Sequence, residues 1–229
     1  MIQTEETQTI FRGDIHHPGF TKITDAWLKS LALNHKLPDP LRYMPGMSGK
    51  KYRYFINNLV ESMPDARYLE IGSWAGSTAC SAIYGNKCKI TCVDNWSEFG
   101  GPKNEFFFHV NHCLTQDISF DFIEQDFRKI DFSSIGKYNI YMFDGPHGEQ
   151  DQYDGISLVQ ESLDHQFILI IDDWNYERVR NGTARALLDV GFKNIASIEI
   201  ITRHDGEHAS IVQHNSDWHN GYFIALISK

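Results

Sequence analysis

Six acids and one histidine carry the chemistry available to this sequence: Glu70, Asp94, Asp126, Asp144, Asp172, Asp173 and His147. Asp144 and the pair Asp172-Asp173 each follow a continuous apolar run, Ile140-Tyr-Met-Phe143 and Phe167-Ile-Leu-Ile-Ile171. If those runs are neighbouring strands, three carboxylates meet at their ends. Two such charges ~4 Å apart repel by ~4 kcal/mol at an effective dielectric of ~20. The cluster persists if a hard cation neutralises it or if it takes up protons. Ligands made only of oxygen favour Mg²⁺ or Ca²⁺, with Mn²⁺ as a further choice. His147, three residues after Asp144, is placed to take a proton from a hydroxyl held on that cation, and a cation acidifies such a hydroxyl.

A second pattern lies upstream. Tyr68-Leu-Glu-Ile-Gly-Ser-Trp-Ala-Gly-Ser-Thr78 reads as a strand, an acid, a glycine-rich turn and the start of a helix. Gly72, Ser73, Trp74, Gly76 and Ser77 would place backbone N–H groups and a helix N-terminus against a nucleotide-like cofactor. A dinucleotide fingerprint needs glycine at its first, third and sixth positions, and here they are Gly72, Trp74 and Ser77. Asp94 follows Glu70 by 24 residues, a spacing that suits an acid accepting hydrogen bonds from a ribose diol. Trp96 stands beside it to cover an adenine face or simply to pack.

These residues need a scaffold that brings strand ends together. Strands are expected at 67–71, 88–93, 120–124, 138–143, 166–171, 194–202 and 222–228. Helices are expected at about 76–84, 105–115, 151–164 and 177–190. Alternation of this kind predicts a doubly wound, mostly parallel α/β sheet, with ligands beyond the carboxyl ends of its strands. The acids named above fall at five such ends. The last two strands, joined by a polar loop, predict an antiparallel hairpin. Upstream, residues 1–20 read as a polar arm and a first helix is expected from about Thr21 to Asn34. The Pro/Gly-rich segment 37–49 reads as a loop, and Tyr52, Phe55, Ile56, Leu59, Val60 and Met63 form one helical face. Residues 1–64 are thus expected to be an arm and helical cap, and 65–229 the main domain.

Bulk properties narrow the partners. The chain has 229 residues, 41% hydrophobic and 22% charged, with a net charge of −9, which describes one ordinary globular domain with a small appendage. An acidic chain without a basic run disfavours a nucleic-acid partner. The four cysteines, Cys80, Cys88, Cys92 and Cys113, form no Cys-x-x-Cys pair and read as reduced thiols of a cytoplasmic protein. No signal peptide or membrane span is evident. Nothing here fixes the oligomeric state, and a homo-oligomer is compatible with it.

The pattern Glu70-x-Gly72-x-x-x-Gly76 resembles motif I of class I S-adenosylmethionine-dependent methyltransferases. With Asp144-Gly-Pro-His147 and Asp172-Asp173, residues 65–190 resemble the metal-dependent small-molecule O-methyltransferases of the macrocin and mycinamicin type. The resemblance implies a Rossmann-like seven-stranded sheet with one reversed strand near the C-terminus. It implies Mg²⁺ on Asp144, Asp172 and Asp173, with His147 as general base. Glu70 and Gly72 would border the methionine part of the cofactor, Asp94 its ribose, and Gln125 and Asp126 its adenine edge. The acceptor would be a small-molecule hydroxyl on a sugar, diol or catechol-like compound. The Asn/Asp-Pro-Pro-aromatic motif of amino-methylating DNA enzymes is missing after residue 143, which argues against base N-methylation. The helix after His147 begins Gly-Glu-Gln-Asp-Gln-Tyr-Asp, whereas relatives more often carry a tyrosine sooner. Two other classes fit such a sheet: a nicotinamide-dependent oxidoreductase or epimerase, and a cofactor-binding module without catalysis. Met47-Ser-Gly49 is expected to fold over the cofactor. The histidine-bearing loop 203–221 reads better as a solvated loop than as a substrate lid.

Overall fold

The computed structural model describes residues 7–229. Its strands are β1 (Gln8–Gly13), β2 (Ala66–Ile71), β3 (Cys88–Val93), β4 (Ile118–Ile123), β5 (Tyr138–Phe143), β6 (Leu163–Ile171), β7 (Lys193–Ile201) and β8 (Tyr222–Ser228). Its helices are α1 (Pro18–Leu31), α2 (Asp39–Arg42), α3 (Lys50–Ser62), α4 (Ser77–Ile83), α5 (Lys103–Cys113), α6 (Glu149–Ser157) and α7 (Glu177–Val190). The strands form one sheet in the order β1-β7-β8-β6-β5-β2-β3-β4. Strands β2 to β6 are parallel, whereas β8 runs antiparallel to both β6 and β7. The chain leaves β2 for β3 and β4 on one side, then returns to place β5 and β6 on the other. That reversal opens a crevice at the carboxyl ends of β2 and β5.

The central strands are covered on both faces, which is why they read as unbroken apolar runs. Successive side chains alternate between faces. Tyr68, Ile90, Cys92, Ile140 and Met142 pack with α1, α3, α4 and α5. Leu69, Ile71, Val93, Tyr141 and Phe143 pack with α6 and α7. The expected strand and helix positions agree with the structure to within a few residues. The helix expected at 151–164 starts at Glu149 and ends at Ser157, where a 3-10 turn, Val159–Ser162, takes over.

The N-terminal region departs from expectation. Residues 8–13, expected in a polar arm, form an eighth strand that pairs with β7 along its full length. The sheet therefore has eight strands rather than seven, with both β1 and β8 running against the parallel set. The arm's remaining residues 1–6 lie outside the described residues. An edge strand is half solvated and needs few apolar residues, so its alternation is weak. The segment 37–49, expected as a loop, contains the single turn α2. Buried Arg53 orders it by donating to the carbonyls of Leu41, Met44 and Gly46. Among the described residues, no helix is long and apolar enough to cross a membrane.

Candidate functional site at the carboxyl ends of the strands

A cavity of about 480 Å³ opens at the crevice. Gly72, Trp74, Asp94, Gln125, Asp126, Asp144, His147, Asp172 and Asp173 line it together with Met47, Tyr176, Arg178, His208, His219 and Asn220. The strand-end acids of β3, β5 and β6 are thus brought to one place.

The turn after β2 sets the floor. Gly72 has φ of +89°, and a Cβ there would fall 1.8 Å from the Asp144 carbonyl oxygen. Only glycine meets both demands. Its N–H donates to the Val93 carbonyl, and the Asp144 N–H donates to the Ile71 carbonyl, so the ends of β2, β3 and β5 are locked in register. Trp74 holds a left-handed backbone at φ +40°, and its indole N–H donates to the Phe99 carbonyl at 3.0 Å.

Asp94 grips this turn. Its Oδ2 accepts from the N–H groups of Ser73 (3.0 Å) and Trp74 (2.9 Å), and its Oδ1 accepts from Trp96 N–H (2.8 Å). A carboxylate offers about four lone-pair sites, so a bidentate grip on a diol requires Asp94 to release part of the turn. Gln125 and Asp126 line the cavity, but each also holds the local backbone. Gln125 donates to the Lys129 carbonyl, and Asp126 caps the 3-10 turn at Arg128 N–H.

Five residues expected at the cofactor do not line the cavity. The Trp96 ring stacks on Phe122 (5.4 Å between centroids) and packs on Phe106, so its role is core packing rather than adenine cover. Ser77 lies beneath the N-terminal segment with its hydroxyl 3.1 Å from that of Ser48. Gly76 caps α4 in the left-handed conformation, and Ser73 is buried. Glu70 has no exposed surface, and its carboxyl accepts from Tyr68 Oη at 2.6 Å. Burial pushes this carboxyl up to about 7, against the pull of the Tyr68 hydrogen bond.

The acid cluster sits beside the glycine turn. Burial first, then the charges of Asp144 and Asp173, hold the Asp172 carboxyl well above the usual carboxylate range. Burial and the charge of Asp173 do the same to Asp144. His147 Nε2 lies 3.5 Å from Asp144 Oδ1 and 3.4 Å from Asp173 Oδ2. Ligand atoms of Asp144, His147 and Asp172 all lie within 4.8 Å of one another. Asp172 Oδ1 and His147 Nε2 are buried without a hydrogen-bond partner among the described residues. Such orphaned atoms are costly unless something binds them, and the two carboxylates with an imidazole beside them fit a divalent cation, the oxygens alone suiting a hard one. The cluster differs from expectation in one respect. The tight set contains His147 in place of Asp173, whose Oδ1 already accepts from Asn220 Nδ2 at 2.8 Å.

The loop 202–221 is more than a solvated surface. Asn220 Oδ1 accepts from Ala209 N–H, and its amide reaches Asp173. Trp174 and Asn175 donate backbone N–H bonds to the Gly221 and Asn220 carbonyls. His219 is 4% exposed, and burial lowers its imidazole to about 4. It is therefore neutral near pH 7, and its Nδ1 accepts from Gln213 N–H, which leaves Nε2 as the protonated donor. Asp173 and His219 both hold left-handed backbones, at φ +58° and +46°. Strained non-glycine residues of this kind collect at ligand sites. His204 and His214 do not line the cavity. The contributions of Asn220 and His219 were readable only through the hairpin. A residue that precedes an antiparallel strand lies beside the carboxyl end of its neighbour, here β6.

With this arrangement in view, the chain superimposes on solved structures of known type. TrmN from Thermus thermophilus matches with a TM-score of 0.55 at 13% identity, over 83% of this chain and 52% of that one. PH1948 from Pyrococcus horikoshii, provisionally assigned as an RNA methyltransferase, matches at 0.51 and 12%, over 91% and 98%. A provisionally assigned O-methyltransferase from Klebsiella pneumoniae matches at 0.51 and 11%, over 93% and 92%. The fold is a Rossmann-like methyltransferase fold. The chain spans about half the length of TrmN. No protein-family model and no curated protein matches the sequence. The likeness is therefore one of architecture, and the chemistry has to be argued from the cavity.

Proposed function

We propose that this chain transfers a methyl group from S-adenosylmethionine to a hydroxyl of a small molecule, using a hard divalent cation such as Mg²⁺. One observation carries the reading. Half-buried Asp144, buried Asp172 and His147 Nε2, which has no hydrogen-bond partner among the described residues, share a single cavity with the glycine turn of a methyltransferase fold.

S-adenosylmethionine, when bound, supplies a methyl group on a positively charged sulfur. Gly72, Trp74 and Asp94 border the end of the cavity suited to it, with Gln125 and Asp126 further along. Asp144 and Asp172 would hold the cation, with Asp173 offering only Oδ2 since Asn220 takes its Oδ1, and the cation would lower the pKa of a hydroxyl bound to it. His147 Nε2 receives the hydroxyl proton as the oxygen attacks. Met47, Trp74 and the loop bearing His219 wall the site and restrict water. Most of the rate enhancement comes from holding acceptor and donor in line. His147 also stands within ligand distance of the acids, and a nitrogen bound to the cation could not accept a proton. As general base, His147 is needed for turnover while contributing less to metal affinity.

The small-molecule acceptor rests on the net charge of −9 and a cavity of about 480 Å³. The assignment of PH1948 makes RNA the acceptor class to test against. The first test is calorimetric titration of metal-stripped protein with S-adenosylhomocysteine and with NAD⁺, each with and without Mg²⁺. Micromolar binding of S-adenosylhomocysteine alone is expected. Binding of NAD⁺ instead overturns the reading in favour of hydride chemistry. Binding of neither leaves the fold without this function.

A further inference from the structure

We infer that the acceptor carries an anionic group, a carboxylate or a phosphate, and that Arg178 receives it at the mouth of the cavity. This rests on the methyl-transfer reading and names the substrate class of the same site.

Arg178 lies in the first turn of α7 and lines the cavity beside His147 and Tyr176. Two contacts fix its guanidinium. Its Nε donates to the His147 carbonyl at 2.9 Å, and its central carbon lies 4.3 Å from the Tyr176 ring centroid. The terminal nitrogens have no hydrogen-bond partner among the described residues. No other arginine here is in that position. Six of them face a carboxylate: Arg12, Arg42, Arg67, Arg128, Arg185 and Arg203. Arg53 and Arg180 direct their terminal nitrogens at backbone carbonyls.

The acids make the geometry informative. Asp144 and Asp173 both contact the ring of His147, the residue whose carbonyl Arg178 binds, yet Arg178 forms no ion pair with them. Stacking on Tyr176 and the bond to His147 hold this exposed guanidinium at the mouth. A planar fork whose two terminal nitrogens are free presents one end-on edge that matches a carboxylate or phosphate. His147 spans the two features, its ring at the acids and its carbonyl at Arg178. The anionic group and the reacting hydroxyl therefore belong to a single acceptor, one beside each end of His147. Hydroxy acids and phosphorylated sugars have that form.

The test uses matched probes on the full chain with Mg²⁺ and S-adenosylhomocysteine present, their binding having been measured first. One pair is 3,4-dihydroxybenzoate against 3,4-dihydroxybenzamide, and the other is glucose 6-phosphate against glucose. In at least one pair the anion is expected to bind more tightly by about tenfold, the strength of a hydrogen bond to a charged group. That ratio should fall towards one in Arg178→Gln and only partly in Arg178→Lys, which keeps the charge without the fork. The pair that responds tells carboxylate from phosphate. Two equal ratios in the native protein, or a ratio that survives in Arg178→Gln, would overturn the inference while leaving methyl transfer intact. If S-adenosylhomocysteine and Mg²⁺ themselves fail to bind, both readings fall together.

Discussion

Asp172 shows how little room the site leaves for an idle carboxylate. It is 3% exposed, one oxygen lacks a partner, and Asp144 and Asp173 both bear on it. A group so placed either holds a proton or holds a cation. The double change Asp172→Asn/Asp173→Asn is expected to abolish turnover, since the cation's Lewis-acid role is lost with its ligands, and to leave S-adenosylhomocysteine binding nearly unchanged in calorimetry. Equal loss of both would show that the acids serve the cofactor instead. His147→Ala should lower turnover by about 10²–10⁴, the usual worth of a general base, with a smaller effect on Mg²⁺ affinity. A collapse of Mg²⁺ affinity would make His147 a ligand. Glu70 makes a different prediction, one of stability. Its carboxyl rises from 4.5 to about 7 on folding, so between those values the folded chain keeps a proton that the unfolded chain releases. Stability therefore falls as pH rises through that window, by about 3 kcal/mol once Glu70 is ionised in the fold. Glu70→Gln should lose less stability than the native chain between about pH 5 and about pH 8 in urea titrations. Parallel pH profiles would remove Glu70 as the cause. The residues with a charge at a strand end were legible from sequence, since strand ends and acids are both local features. Trp96 was not, because a tryptophan after a strand reads alike whether it faces a ligand or, as here, Phe106 and Phe122.

The elements place His147 through close backbone contact. α6 begins just after it, and Asp151 accepts from Gly148 N–H at 2.9 Å to cap that start. Arg128 reaches over from the turn after β4 to Asp151 and Asp154. α7 then lies against α6 at Gly182, where a Cβ would stand 2.2 Å from the Glu149 carbonyl oxygen. Backbone cannot yield as a flexible side chain can. Gly182→Val should therefore destabilise the chain by about 2–3 kcal/mol through overpacking. It should also reduce turnover at temperatures where the chain remains folded, because the start of α6 carries His147 with it. Native stability in chemical denaturation would show that the two helices are loosely apposed. The central strands and their helices could be read from sequence because strands covered on both faces leave continuous apolar runs. β1 could not, because its residues are mostly exposed and its order comes from pairing with distant β7. The same limit hid Asn220 and His219. Their place at the site follows from antiparallel pairing of β8 with β6, a long-range fact that no local pattern encodes.

At the scale of the whole molecule, fold and charge give separate information. The architecture is shared with proteins provisionally assigned to RNA and to hydroxyl methylation, so it does not choose the acceptor. Charge does bear on the choice. A protein that binds RNA replaces counterions with lysine and arginine, and its affinity then falls steeply with salt. This chain has 21 basic residues against 30 acidic ones. Of its nine arginines, six already face carboxylates of the same chain. The lysines outside these pairs are spread along the chain from Lys22 to Lys229 without a basic run, while one fixed guanidinium at the cavity mouth suits a single anionic group. Bulk transfer RNA, followed by fluorescence polarisation at about 0.15 M salt, should therefore bind no more tightly than the weak, nonspecific range of roughly 10⁻⁴–10⁻⁶ M. Addition of S-adenosylhomocysteine and Mg²⁺ should not change that. Binding tighter than about 10⁻⁷ M, beyond the nonspecific range, would instead place the acceptor among nucleic acids. Arg178 would then be read as a phosphate contact on a polymer, and the cavity as a pocket for one extruded nucleotide.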